Sequence, residues 1–167
     1  MSDNTIGKIA ENRIRKWLDR PDDGYSFDRI PDQMTGFFNS KNICDFICFK
    51  SPHMWYIESK ATWEDRFDFM NITDTQRKGL LDKSKIKYVH GVIILLFATY
   101  QKAFILDINQ IQKLIDGGIK SLNIKKIDKW NIPYAEIHTV ENNRATYPTY
   151  LGHLEDYIEK IYGGESN

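Results

Sequence analysis

Residues 43–61 read ICDFICFKSPHMWYIESKA, and this stretch decides the fold. It contains two runs rich in aromatic and β-branched residues, 43–49 and 54–61, joined by a short link that includes Ser51 and Pro52. Two such runs separated by turn-forming residues predict an antiparallel β-hairpin. We expect this hairpin to carry the chemistry of the protein, because its polar residues stand at selected positions inside apolar strands.

The second arm of the hairpin places two charged side chains on one face. Successive side chains of a strand point to opposite faces, so Glu58 and Lys60 project together. The hairpin can also bring Asp45, from the first arm, beside Glu58. Two adjacent carboxylates repel each other unless a cation lies between them, and Mg²⁺ or Mn²⁺ is the natural occupant.

Asp45, Glu58 and Lys60 together have the chemistry of phosphodiester hydrolysis. A divalent cation polarises a phosphate oxygen and acidifies a bound water, while an adjacent lysine positions that water and offsets the charge of the transition state. The backbone carbonyl of Ser59, between the Glu58 and Lys60 side chains, can supply a further oxygen ligand. The residues therefore predict a metal-dependent catalytic centre in the hairpin.

The spacing of these residues is not specific by itself. An aspartate followed ten to twenty residues later by acid-x-lysine is expected by chance roughly twice in a chain of this composition. The context is more informative, because both acids lie inside apolar runs, where an unpaired charge is costly. Residue patterning still leaves open a second interpretation, in which Glu58 and Lys60 lie on the solvated face of an edge strand.

Two further polar residues are candidates for the same site. Glu11 lies at the edge of the apolar stripe of a predicted helix over residues 5–18, where a carboxylate can reach a site beside the core. Gln76 ends the segment 73–76, TDTQ, which has the pattern of a helix capping box. Each also has a simpler interpretation: Glu11 as a solvated surface acid, and Gln76 as a capping residue alone.

The order of predicted elements indicates an α/β protein. It runs α, β, β, β, α, β, β, α, which is typical of a sheet flanked by helices. Beyond Ile119 the periodic signal weakens, and a strand and a terminal helix are less clearly marked. The predicted helices cover residues 5–18, 73–83, 109–115 and 150–162, the predicted strands cover 25–30, 43–49, 54–61, 89–99, 101–107 and 132–140, and residues 31–41 are expected to form a loop.

The composition is that of one globular domain. Of the 167 residues, 41% are hydrophobic and 13% are aromatic, which is enough for a substantial core. We expect a single domain over residues 1–167, with a core of about 5–118 and a C-terminal extension of about 119–167. No apolar stretch is long enough to span a membrane, and the N-terminus lacks the apolar core of a signal peptide, so we expect a cytoplasmic protein with no membrane partner.

Charge and metal-ligating residues give little further guidance. The net charge is zero, with 23 basic and 23 acidic residues, so global charge does not support a nucleic-acid partner, although a catalytic surface needs only a local positive patch.

No glycine-rich phosphate loop is present, and we expect no small-molecule cofactor. The four histidines share no metal-binding spacing, and Cys44 and Cys48, about 13 Å apart along a strand, cannot bridge each other. Two lysine-rich groups could track a phosphate backbone or simply be solvated faces: Lys83, Lys85 and Lys87, and Lys120, Lys125, Lys126 and Lys129.

The hairpin residues also resemble a known catalytic motif. Asp45, twelve intervening residues and then Glu58-Ser59-Lys60 are similar to the PD-(D/E)XK nuclease motif. The sequence from about residue 5 to about residue 110 resembles the RecU-type Holliday-junction resolvases, and more distantly the archaeal resolvases. The likeness includes the helix with Gly7 and Glu11, the segment FDRIP at 27–31, the cluster at 67–69 before Gln76, the apolar strand after Gly91, and FILD at 104–107.

The resemblance implies a restriction-endonuclease-like fold, with a mixed central sheet flanked by helices. It implies that Asp45 and Glu58 bind Mg²⁺ or Mn²⁺, that Lys60 is catalytic, that Glu11 completes the metal site, and that Gln76 belongs to the active site. It further implies a homodimer that makes paired nicks in four-way DNA junctions during recombination and repair. A compact phage-encoded resolvase would suit a chain of this length.

The chain departs from the RecU-type pattern in one respect. Those proteins carry a long projecting insertion before the motif aspartate, whereas only about fourteen residues separate Ile30 from Asp45 here. Two alternatives to a resolvase therefore stay open: a restriction or repair endonuclease of the same fold that cuts duplex DNA, and a non-catalytic DNA-binding or structural protein on a nuclease-like scaffold. The intact set of two acids and a lysine argues against the second.

Overall fold

The computed structural model of the chain describes residues 3–20, 23–31, 42–140 and 149–162. In these ranges it contains four α-helices, ten strands and several short 3₁₀ turns. The helices are α1 (Asp3–Leu18), α2 (Asp74–Lys83), α3 (Ile108–Asp116) and α4 (Leu154–Tyr162). The strands are β1 (Ser26–Arg29), β2 (Phe46–Lys50), β3 (His53–Thr62), β4 (Arg66–Asp68), β5 (Val89–Phe97), β6 (Lys102–Asp107), β7 (Ser121–Asn123), β8 (Ala135–Glu136), β9 (Thr139–Val140) and β10 (Thr149–Tyr150).

A six-stranded mixed sheet with the order β1-β2-β3-β5-β6-β8 forms the centre of the fold. β2 and β3 are the predicted antiparallel hairpin, and they pair from Phe46 with Ile57 to Lys50 with His53. β3 and β5 are parallel, because the chain crosses over through β4 and α2 between them, and the other neighbours are antiparallel. The predicted fold class, a mixed central sheet flanked by helices, is confirmed.

The sheet has a hydrophobic core on each face, and β5 contributes to both. Alternate residues of its apolar run VIILLF point to opposite sides, as the period of a strand requires. α1 and α4 cover one face, while α2, α3 and the segment around Trp130 cover the other. A strand buried on both faces is uniformly apolar, which explains why this run lacks the alternation of a half-exposed strand.

Capping interactions set the starts of the two helices that follow the central strands. Thr73 and Gln76 form the predicted capping box at the start of α2, where each side chain bonds the backbone of the other residue. Asp107 caps α3 by accepting hydrogen bonds from the backbone N–H groups of Asn109 and Gln110. These caps fix α2 and α3 against one face of the sheet.

The C-terminal third differs from the sequence-based expectation. The strand expected over residues 132–140 is two short strands, β8 and β9, and the terminal helix begins at Leu154 rather than at residue 150, since Tyr150 belongs to β10. β4 and β7, a two-stranded ribbon, were not predicted, because three-residue strands carry too little periodicity to detect. Of the loop expected over residues 31–41, positions 32–41 lie outside the described residues. In the described ranges, no helix is both long and apolar enough to cross a membrane.

Gly91, on β5, provides a test of the packing between the sheet and α2. A Cβ atom at this position would lie 2.7 Å from the Leu80 carbonyl oxygen and 2.8 Å from the Ser84 hydroxyl, whereas a Cβ at Gly7, inside α1, meets nothing within 4 Å. We predict that Gly91→Ala destabilises the protein by about 1–3 kcal/mol, because the backbone carbonyl cannot move away cheaply. Gly7→Ala is the matched control and should stabilise it by about 0.5–1 kcal/mol. Urea unfolding measures both, and an unchanged midpoint for Gly91→Ala would contradict the packing described.

Candidate active site

The hairpin brings Asp45 and Glu58 together. The Asp45 N–H donates at 3.0 Å to the carbonyl of Ile57, the residue that pairs with Phe46, so Asp45 lies at the start of β2, one residue out of the regular β2–β3 register. This offset, of the kind seen in a β-bulge, places the Asp45 carboxylate beside residues 58 and 59 of β3. The Asp45 Oδ2 atom also accepts a hydrogen bond of 2.8 Å from the Ser59 N–H, which holds the carboxylate at the start of β2.

Glu58 is a buried carboxylate with an unused oxygen. Its side chain is only 3% exposed, and Oε2 has no hydrogen-bond partner among the residues that the structure describes. Burial, and after it the nearby charge of Asp45, raises the pKa of the Glu58 carboxyl from its ordinary value of 4.5 to about 8, against the lowering effect of Lys60. The site therefore favours either a proton or a cation beside Glu58.

Lys60 lies on the same face of β3 as Glu58, two residues further along, as predicted. Its ammonium nitrogen is 2.9 Å from Glu58 Oε1 and 3.1 Å from Gln76 Oε1. The pair is largely removed from solvent, so its electrostatic attraction is screened less than that of a surface pair. The solvated edge-strand interpretation is wrong for Glu58, because β3 is a central strand between β2 and β5.

Gln76 is both a capping residue and a member of the cluster. Its Oε1 atom accepts from the Thr73 N–H at 3.0 Å and from the Lys60 ammonium, while its Nε2 donates to Glu58 Oε1. The sequence offered capping and a site contact as alternatives, and one side chain makes both sets of contacts. The start of α2 is thus hydrogen-bonded to the charged residues of β3.

Glu11 lies near the cluster but has another partner. Its Oε2 atom accepts hydrogen bonds from Arg29 at 2.7 and 3.1 Å, and its charge makes a small contribution that raises the pKa of Glu58. Within the described ranges, no three His, Cys, Asp or Glu side chains are grouped closely enough to hold a metal ion. Sequence reasoning missed Arg29 as the partner of Glu11, because an arginine on a short edge strand carries no distinguishing pattern.

The residues nonetheless fit a divalent cation held partly by the backbone. The N–H and C=O of one strand residue point to the same side, so the Ser59 carbonyl faces the side of Asp45, to which the Ser59 N–H donates. The unpartnered Oε2 of Glu58, the Asp45 carboxylate and this carbonyl are all hard oxygen donors, which Mg²⁺ and Mn²⁺ prefer. A cation would also relieve the repulsion between the two acids.

The two cysteines are buried, and two of the histidines and several of the clustered lysines have other partners. Cys44 and Cys48 are free and buried, and burial raises the pKa of each thiol to about 12. His53 and His90 are within 3.0 Å of each other at the opposite end of β3 from Lys60. Of the lysine-rich groups, Lys83 stacks over the Tyr56 ring and Lys125 pairs with Asp65.

Comparison with known proteins places the sequence in context. The model of one family, RecU, described as Recombination protein U, matches residues 25–155, a range that includes Asp45, Glu58, Lys60 and Gln76 but not Glu11. The structure of Hjc, a Holliday junction resolvase from the archaeal hyperthermophile Archaeoglobus fulgidus, is similar with 15% sequence identity and a TM-score of 0.45, over 62% of this chain and 78% of that one. No curated protein sequence matches.

Thr73 provides a test of the link between the capping box and the cluster. Its hydroxyl accepts the Gln76 N–H at 3.3 Å, so Thr73→Val removes this acceptor while preserving the shape of the side chain. We predict that Thr73→Val destabilises the protein by about 1 kcal/mol and shifts the NMR signals of the Gln76 side-chain amide, whereas Thr73→Ser does neither. If the valine and serine variants unfold at the same urea concentration and leave those signals unchanged, the hydroxyl does not hold Gln76.

Proposed function

This chain belongs to the RecU family of Holliday-junction resolvases, and we propose that it is a divalent-metal-dependent endonuclease that cuts four-way DNA junctions at the cluster of Asp45, Glu58 and Lys60. One observation carries the proposal: the buried Glu58 has an unpartnered oxygen, among the described residues, beside a second carboxylate. Without a cation at this position, Lys60 offsets only part of the cost of burying a charged Glu58. The arrangement is therefore better explained by binding than by stability.

Asp45, Glu58 and the Ser59 carbonyl would hold the metal ion, Mg²⁺ or Mn²⁺. When bound, such an ion supplies a Lewis acid that withdraws negative charge from the phosphate and favours ionisation of water. Glu11 is too closely engaged with Arg29 to be a direct ligand without rearrangement. We assign to Glu11 and Arg29 the role of setting the local charge at this edge of the site.

Lys60 is the residue that we assign to the chemical step. A water molecule attacks the phosphorus atom and gives up a proton, the ester bond to one sugar oxygen breaks, and that oxygen takes up a proton. Negative charge accumulates on the phosphate oxygens in the transition state. The Lys60 ammonium lies next to the carboxylates and can stabilise this charge as it develops. Gln76 and Glu58 position Lys60 by each accepting one of its three hydrogens, which leaves one available for a phosphate or a water.

Paired cutting of a junction requires two such sites. A four-way junction has approximate two-fold symmetry, so a C₂ homodimer presents one active site to each of two opposite strands. We therefore propose a homodimer as the active form.

Cleavage of duplex DNA is the second candidate function. The short distance along the sequence between Ile30 and Asp45 favours it, since a long projecting insertion is absent there.

A cleavage assay with Lys60→Ala tests the assignment. We predict that purified wild-type protein nicks a four-way junction symmetrically in Mg²⁺ or Mn²⁺ and does not cut in chelator. Lys60→Ala should reduce the cleavage rate at least about 10²-fold, which is the usual cost of removing a group that stabilises transition-state charge, while junction binding stays within a few-fold. Lys102→Ala is the matched control, because Lys102 is an exposed lysine paired with Glu136 on another strand.

The outcomes of this assay separate the candidate functions. Preferential cutting of linear duplex would support a duplex endonuclease with the same site. Metal-independent binding without cutting of any substrate would contradict both enzymatic functions. Normal cutting by Lys60→Ala would show that the lysine has been assigned wrongly, even if the junction remains the preferred substrate.

A further inference from the structure

Met70 is the most exposed large hydrophobic side chain among the described residues, at 92% exposure. A single exposed apolar residue normally needs no explanation. Met70 differs in its setting, because it lies on a rigid turn close to the catalytic cluster and beside a lysine-rich segment. These three features together indicate a function on the DNA surface.

The turn that carries Met70 is fixed on both sides. It is a 3₁₀ turn over Phe69–Asn71. Phe69, which precedes Met70, is 5% exposed, and Ile72, which follows the turn, is 4% exposed, so both are buried. The Phe69 N–H donates to the Lys120 carbonyl at 2.9 Å, and the Ile72 N–H donates to the Phe69 carbonyl at 3.0 Å. Met70 is therefore presented to solvent by an ordered backbone, and little backbone entropy would be lost when it binds.

The turn also lies near the bond that Lys60 would act on. The Thr73 N–H and the Lys60 ammonium donate to the same oxygen of Gln76, at 3.0 and 3.1 Å, so the two nitrogens are at most about 6 Å apart. Met70 precedes Thr73 by three residues, which an extended chain spans in about 11 Å at most. Since base pairs of DNA are stacked about 3.4 Å apart, Met70 can reach a step within roughly five base pairs of the cut.

The neighbouring segment provides contacts for the DNA backbone. Residues 119–129 carry four lysines and one aspartate, and β7 in this segment pairs with β4, which leads directly into the Met70 turn. Lys120, whose carbonyl bonds the turn, is exposed. Lysines at this position can contact phosphates on either side of a base step, which would position the apolar side chain over the stacked bases.

We propose that Met70 is a wedge that enters the base stack of bound DNA within a few base pairs of the cut, with Lys120 contacting the adjacent phosphate. Proteins that kink DNA insert apolar side chains, methionine among them, between base pairs, and the cost of unstacking is a few kcal/mol per step. A junction or another distorted substrate already has weakened stacking, so the wedge favours such a substrate over regular duplex. The proposal rests on the DNA-cutting function proposed above.

Fluorescence of 2-aminopurine tests the wedge without cleavage. The base analogue is placed in turn at each of the five base pairs on both sides of the mapped cut, and emission is measured in chelator at saturating protein. Wild-type protein should raise the emission several-fold at one step, Met70→Ala should abolish at least half of this increase, and Met70→Leu should retain it. Ile86→Ala is the matched control, because Ile86 is 57% exposed in the turn between α2 and β5, near the end of β3 opposite Lys60. The emission with this variant should equal that with the wild type.

A kinetic measurement distinguishes unstacking from simple binding. Met70→Ala should cut a fully paired junction about 10-fold more slowly, and a mismatch or abasic site at the affected step should restore the rate to within about 3-fold of wild type.

If Met70→Ala gives the wild-type emission and rates, the wedge is excluded while the nuclease function stands. If the wild type neither binds nor cuts DNA, the proposed function fails, and the wedge with it. If Met70→Ala converts a dimer into a monomer by light scattering, Met70 contacts a second copy of the chain and the wedge is wrong.

Discussion

The antiparallel pairing of β2 with β3 is the constraint on which the site depends. It brings the Asp45 carboxylate beside Glu58, because the Asp45 N–H donates to the Ile57 carbonyl and the Asp45 carboxylate accepts from the Ser59 N–H. Because side chains alternate along a strand, a slip of one residue in this register would move Glu58 and Lys60 to the opposite face. The deeply buried strand β5 beside β3 makes such a slip costly, so the core of the protein also protects the positions of Glu58 and Lys60.

The cluster has a cost in stability. A buried carboxylate with a raised pKa and an oxygen without a partner among the described residues destabilises the fold. Lys60 compensates part of the charge, and Gln76 joins both groups to the start of α2. The capping box thus has two effects. It provides hydrogen-bond partners for backbone N–H groups at the start of α2, and it holds the Gln76 side chain that contacts Lys60.

Most of the central sheet could be predicted because its signals are local. The hairpin, the apolar strand and the capping box each depend on residues that are neighbours along the chain, and the pair of Glu58 and Lys60 follows from the period of a strand. The ion pair between Glu11 and Arg29 could not be predicted, since it joins side chains from two elements whose relative placement is tertiary. The same reason hid the ribbon of β4 and β7, whose partners are more than fifty residues apart in sequence.

A cation between the two acids is the central requirement of the proposed site, and anomalous diffraction from crystals grown with Mn²⁺ tests it directly. We expect a Mn²⁺ peak in contact with Glu58 Oε2, the Asp45 carboxylate and the Ser59 carbonyl, and the loss of that peak in crystals of Glu58→Gln. A well-ordered wild-type site without a Mn²⁺ peak at saturating metal, or a peak bound elsewhere that persists in Glu58→Gln, would contradict this requirement.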